Sequence, residues 1–275
     1  MLLRSKRNTH EFLMEVMQSS SSALGVKGPS VLFFLPHFDI INGMVPDYMH
    51  CICLGVVRQV AKLWFQTKNH DEPFYIGGSM SKVDEYLFSI KPPCSISRTP
   101  RSLSVMKYWK AHEWLVWLLF YSLPVLKGIL PHTYAHWGIL VDCIAILLHA
   151  RVTFEELKSC ETGLICFVQD FLPLYGKQHL SFNVHRTLHL VESVRNWGPL
   201  WTHSAFLFES YNAVLLKMIR GTQGVPARIV HTFSLTRGIP VNVKATLPQF
   251  SDVQRAFISD LTSNKHDIKS AHKIS

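Results

Sequence analysis

Apolar residues along this chain recur mostly at helical spacing. Ile52, Val56, Val57, Val60, Leu63 and Trp64 return every three to four residues, with Arg58, Gln59, Lys62 and Gln66 on the other side. That spacing predicts an amphipathic helix of about four or five turns. Asp47 stands at its N-cap, where a carboxylate accepts orphan backbone N–H groups. Residues 81–171 keep a mostly helical pattern, interrupted by a Pro-rich basic loop at 91–100. Residues 181–196 predict another helix, with His185, Leu188, His189 and Val191 at helical spacing, and Trp197-Gly198-Pro199-Leu200 ends it. The period resumes over 206–220 through Phe208, Tyr211, Leu215 and Met218 and stops at Gly221, and a last helix is predicted over 227–235. Elsewhere the pattern is different. Residues 1–30 are polar, with Ser19–Ser22 and a Gly/Pro connector. The run 31–35 is short and apolar, 39–46 reads as a strand or extended segment ending at Pro46, and the chain beyond Pro240 reads as a loosely held polar tail.

Two stretches, 114–126 and 137–150, are apolar enough to suggest a membrane. Pro124 interrupts the first, Asp142 and His149 lie in the second, and both fall short of ~20 apolar residues. They read as buried helices, and no membrane partner is expected. Composition agrees: 48% hydrophobic and 17% charged residues allow a large core and exclude a disordered tail. The start carries basic residues with no apolar stretch behind them, so it does not read as a secretory signal. Six cysteines in 275 residues do not make a disulfide framework, and Cys51-x-Cys53 lacks a second close pair for zinc. These cysteines read as reduced thiols of an intracellular protein. The net charge of +9 suits a phosphate-bearing partner, although it is spread along the chain.

Two short segments carry acids in positions that matter. In Val45-Pro46-Asp47-Tyr48-Met49-His50-Cys51, a carboxylate at a helix start is followed three residues later by a histidine, so both point the same way. In Ser204-Ala205-Phe206-Leu207-Phe208-Glu209-Ser210-Tyr211-Asn212, one acid sits near the start of an apolar helix. Each has a plainer reading, as an N-cap and as a carboxylate near a helix N-terminus. His185 and His189 are one turn apart with His203 nearby, a pattern that serves either zinc or packing. Lys91, Arg98, Arg101, Lys107 and Lys110 form the densest basic run. Lys217, Arg220 and Arg228 form a second, next to Glu209. Either run is a solvated segment or a set of contacts to a DNA backbone.

Taken together, these blocks resemble a known family. Pro46-Asp47-Tyr48-Met49-His50-Cys51, followed by Leu54-Gly55-Val56-Val57-Arg58, is similar to the Asp-x-x-His block of CACTA (En/Spm-type) DNA transposases of the CACTA/Mirage/Chapaev superfamily. The flanks Gly28-Pro29-Ser30 and Phe38-Asp39-Ile40 precede it as in that family. Tyr108-Trp109-Lys110-Ala111-His112-Glu113-Trp114 and Tyr121-Ser122-Leu123-Pro124-Val125-Leu126 resemble blocks of its helical insertion. Asn183-Val184-His185, Trp197-Gly198-Pro199-Leu200 and Phe208-Glu209 resemble its C-terminal module. The resemblance spans roughly residues 8–237.

The resemblance implies a mainly α fold: a remnant of an RNase H-like α/β core with a large all-helical insertion. It implies a polar segment at 1–30, core parts at 31–66 and 181–240, the insertion at 67–180 and a tail at 241–275. It also implies DDE-type chemistry, metal-dependent DNA strand cleavage and transfer. Asp47 matches the second acid and Glu209 the third, holding Mg2+ or Mn2+, which favour hard oxygen ligands. His50 matches the family histidine beside them. Arg98, Arg101, Lys107, Lys110, Lys217 and Arg220 become DNA-contact candidates. The implied partners are DNA at transposon ends and another copy of the chain, and the implied location is the nucleus. One departure stands out. The only Asp before Asp47 is Asp39, too close to hold the strands that separate the first two acids in such enzymes. The first acid is therefore expected to be missing, the chain to be a C-terminal fragment, and activity in isolation to be absent. Two readings remain beside this one: a non-enzymatic transposon-derived DNA- or protein-binding module, and an unrelated helical hydrolase using zinc-bound histidines.

Overall fold

The computed structural model describes residues 6–19, 27–28, 30–92, 96, 101–130, 133–217, 219, 221, 223–246 and 251–256. Among them the regular structure is helical, and no strand occurs. The chain divides into two compact units, residues 1–206 and 207–275.

The first unit is built around long apolar helices. After α1 (Lys6–Ser19), a π-helical stretch (Met49–Val57) runs directly into α2 (Arg58–Phe65), followed by α3 (Met80–Ser89). α4 (Ala111–Val116) passes through a second π-helical stretch (Trp117–Tyr121) into α5 (Ser122–Leu126). α6 (Tyr134–Leu147), α7 (Phe154–Tyr175), α8 (Phe182–Arg186) and α9 (Leu190–Trp197) complete the unit, and α10 (Ala205–Lys217) starts at its end.

α6 is apolar nearly all round, as befits a helix covered on several sides. Trp137, Leu140, Ile144 and Leu147 are fully buried, and α7 packs along it. Gly163 permits the close approach: a Cβ there would lie 2.9 Å from Cys143 Sγ. α7 begins with a capping box, in which Thr153 Oγ1 accepts the Glu156 N–H (3.2 Å) and the Glu156 carboxylate accepts the Thr153 N–H (2.7 Å). Trp64 of α2 meets Trp137 edge-on, with ring centroids 5.0 Å apart, and Trp109 tilts against Trp114 at 4.7 Å. Aromatic pairs at such offsets add to the burial of their area. His136 is buried in the same core. It stacks on Phe167 at 4.3 Å, and its Nε2 donates to the Phe167 carbonyl at 2.9 Å.

Several expectations change here. The segment read as polar over 1–30 contains a helix with a buried side: α1 buries Thr9, Leu13 and Val16 at helical spacing. Segment 39–46 is not a strand. The Asp39 carboxylate accepts the N–H groups of Ile41 (2.9 Å) and Asn42 (3.2 Å), and the Gly43 N–H returns to the Asp39 carbonyl (2.7 Å). This local side-chain bonding offers the backbone a turn in place of a ladder. Run 31–34 closes as a short 3-10 helix capped by Ser30.

In the second unit, α11 (Val225–Thr246) continues through Pro240, so the helix extends past the point where a loose tail was expected, and residues 252–256 are helical again. The helices predicted over 47–66, 181–196 and 206–220 are present within a few residues of those bounds. Among the described residues no helix is long and apolar enough to cross a membrane, and 114–126 and 137–150 are largely helical and rich in buried residues.

Candidate functional site

Asp47 sits where residues 45–47, which form no regular element, lead into the π-helical stretch, and its carboxylate is a hub of hydrogen bonds. Oδ1 accepts the Met49 N–H at 3.3 Å and the Ala205 N–H at 2.8 Å. Oδ2 accepts the His50 N–H at 3.0 Å and faces His50 Nδ1 at 2.5 Å. The Asp47 carbonyl accepts the Cys51 N–H at 2.8 Å, which starts the helix. One carboxylate thus caps two helix starts that are 158 residues apart in sequence. Capping of this kind offsets the positive end of the helix dipole and satisfies donors that otherwise lack partners.

The neighbouring groups reinforce the junction. Tyr48 is buried and tilts against Phe206 with ring centroids 5.6 Å apart. Burial, helped by nearby Cys53 and Asp47, pushes its phenol up to about 12 despite a hydrogen bond with Ser204. Ser204 Oγ accepts the Phe206 N–H at 3.2 Å, a serine cap beside the aspartate. His203 lies near enough to Asp47 to feel its charge, but burial dominates and holds this imidazole below the usual histidine range. Cys51 and Cys53 are buried free thiols. Burial pushes Cys51 up to about 11, with Arg186 opposing, and raises Cys53 further. Both are therefore thiols and not thiolates at neutral pH, which leaves them inert as nucleophiles or metal ligands.

Accessibility separates the members of the Asp-x-x-His motif. The His50 side chain is 55% exposed and that of Asp47 22%. The imidazole meets one carboxylate oxygen, so the pair makes a small polar face at the start of a stretch in which Met49, Cys51, Ile52, Cys53, Val56 and Val57 are buried.

Glu209 lies in the second unit, on α10, with an exposed side chain. His185 and His189 face one another with Nε2 atoms 3.4 Å apart and rings edge-on at 5.2 Å. Burial, and then the charges of His185 and Arg186, hold His189 below the usual range. His203 Nε2 turns instead to Ser193 Oγ at 3.5 Å. Among the described residues no group of three or more His, Cys, Asp or Glu side chains is arranged to hold a metal ion.

Arg101 is engaged within the first unit. Its Nε and Nη2 meet the two oxygens of buried Glu113 at 2.7 and 2.9 Å, and Nη2 also donates to the Tyr108 carbonyl at 2.7 Å. Glu113 in turn accepts the Lys110 N–H at 2.9 Å, capping α4. The Lys107 ammonium lies 4.7 Å from the Tyr108 ring centroid, and the Lys110 side chain is exposed. Lys217 is exposed near the end of α10, while Arg98 and Arg220 lie outside the described residues.

The Ala205 N–H bond to Asp47 was not foreseen. Ser204 ahead of an apolar run marks a helix start in the sequence, but nothing there assigns the second acceptor to a residue 158 positions earlier. Comparison of the chain with family models, with curated proteins and with solved structures finds no match in any of the three.

Proposed function

We propose that this is a transposon-derived protein resembling a DDE-type DNA transposase, and that the chain alone does not perform metal-dependent strand cleavage or transfer. The blocks around Asp47 and Phe208-Glu209 support the first part. The engagement of Asp47 carries the second. Both of its oxygens already accept two N–H donors each. A divalent ion has to displace the His50 ring or compete with backbone donors for those lone pairs, and hard ions need several free oxygens around them. The Asp47 carboxylate as it stands does not fit a Mg2+ or Mn2+ ligand. An RNase H-like ancestry, a nuclear location, DNA at transposon ends and a second copy of the chain as partners belong to this reading. The test is a nicking assay on supercoiled DNA with Mg2+ or Mn2+. No metal-dependent nicking above a protein-free blank is expected, and nicking abolished by Asp47→Asn or Glu209→Gln overturns the second part.

A non-enzymatic binding module is the second reading, favoured by the same hub. If Asp47 serves only to join two helix starts, its replacement lowers stability and leaves DNA affinity per folded molecule unchanged. Loss of affinity in a variant that melts like the wild type argues against it.

A further inference from the structure

The polar side of the helix that runs from Met49 to Phe65 borders a groove of about 510 Å³ in the first unit, within the usual size range of small-ligand sites. Leu54, Gly55, Arg58, Gln59, Lys62 and Gln66 line it from the helix, His179 and Asn183 from the opposite wall, and Lys68 from beyond the helix end. None of these lining residues is acidic. Among the described residues, no ion pair involves Arg58, Lys62 or Lys68.

The groove is braced on both walls. Gln59 Nε2 donates to the His179 carbonyl at 2.6 Å, and Ser181 Oγ donates to Gln59 Oε1 at 2.7 Å. Asn183 packs directly on Gly55, where a Cβ would lie 2.7 Å from its Nδ2. A side chain at position 55 therefore displaces that amide. Arg58 and Lys62 lie one turn apart on the helix, a rise of about 6 Å. Burial, and then the charges of Arg58 and Lys68, hold the Lys62 ammonium below the usual lysine range. Like charges gathered without a counter-ion destabilise the free protein and favour an anion between them.

We propose that this groove binds a phosphate-bearing ligand, with Arg58, Lys62 and Lys68 meeting its charge and the Gln66 and Asn183 amides lining its path. The lining holds no Phe, Tyr or Trp to stack on a base and no carboxylate to accept from a sugar hydroxyl. It therefore reads phosphates and is indifferent to base sequence. The site is independent of Asp47 chemistry and stands whether or not the chain has transposase ancestry. Two sources carry the same chemistry, a small polyphosphate and the phosphodiester backbone of a nucleic acid.

The test compares the full chain with two triple variants of equal charge. One is Arg58→Gln/Lys62→Gln/Lys68→Gln; the other is Lys82→Gln/Lys127→Gln/Lys158→Gln, at exposed positions outside the groove. Binding is measured to inorganic pyrophosphate and to a fluorescent DNA oligonucleotide of random sequence. Expected is at least a ~10-fold loss for the groove variant on one or both probes, and a loss of less than about 3-fold for the control. On DNA the salt dependence is expected to flatten by about one in slope for each cation removed. Loss on pyrophosphate alone identifies a small ligand, and loss on DNA a polymeric one. Equal behaviour of the two triple variants, or poly-glutamate bound as tightly as DNA, overturns the proposal. Lys68→Gln alone, at an exposed position, keeps the test open if the triple variant does not fold. It is expected to lose about 3-fold, and no loss counts against the site.

Discussion

Two helices in this chain look alike in sequence and differ in fate. The helix from Met49 to Phe65 and α10 both carry apolar residues at three-to-four-residue spacing behind a capping polar residue. The first buries Met49, Cys51, Ile52, Val56, Val57, Val60, Leu63, Trp64 and Phe65. α10 has no buried residue, and Leu207, Phe208, Tyr211, Val214 and Leu216 are exposed. Periodicity establishes that a helix forms, whereas burial depends on what packs against it. The first helix meets α4 and α8 and the tryptophans of the core, and the sequence contains those partners.

The largest effect that sharpens the contrast is expected in the core. Trp137→Ala removes a fully buried ring that packs on Trp64 and should cost about 3–5 kcal/mol in chemical denaturation. Phe208→Ser on α10 should stay within about 0.5 kcal/mol of wild type. A comparable cost at both positions breaks the distinction.

Next is Asp47→Ala, which leaves donors from two helix starts without their acceptor and should cost about 2 kcal/mol. Glu209→Ala, at an exposed position, should cost less than about 0.5 kcal/mol.

A smaller effect follows from one buried and two part-buried histidines. Burial lowers the native pKa of His136, against the opposing Phe167 carbonyl and Asp170, and does the same for His189 and His203. The unfolded chain then binds more protons than the native one, so stability rises with pH through this window. It is fully present above the unfolded histidine value of about 6.5 and is lost as pH falls through the lowered native values. Melting temperature should drop between about pH 7.5 and pH 5.5, and His136→Gln should reduce the slope.

Much of the helical plan was legible. Ile52, Val60 and Trp64 announced the first helix, whereas α7 was read only as part of the helical stretch 81–171, without the capping box that starts it. The turn at 39–43 was missed because Ile40 and Ile41 favour strands by composition, while the deciding interaction is the Asp39 carboxylate bonding to its own neighbours. α1 was missed because its apolar stripe is narrow, with only Leu13 and Val16 in its small cluster of buried hydrophobics. At the site, the N-cap role of Asp47 was readable from position 47 alone. The Ala205 contact was not, since it joins segments 158 residues apart. The densest basic run misled in one respect: Arg101 is committed to Glu113, twelve positions later. The uncommitted cations of the groove, Arg58 and Lys62, were visible only as the polar side of a helix, because His179 and Asn183, which complete the groove, lie over a hundred positions away.

Thermal unfolding of the wild type, Asp47→Ala and Glu209→Ala side by side tests the central claim, that Asp47 acts first as the junction of two helix starts. Asp47→Ala is predicted to melt about 4–8 °C below wild type while Glu209→Ala melts with it. An Asp47→Ala protein that melts like the wild type contradicts the account.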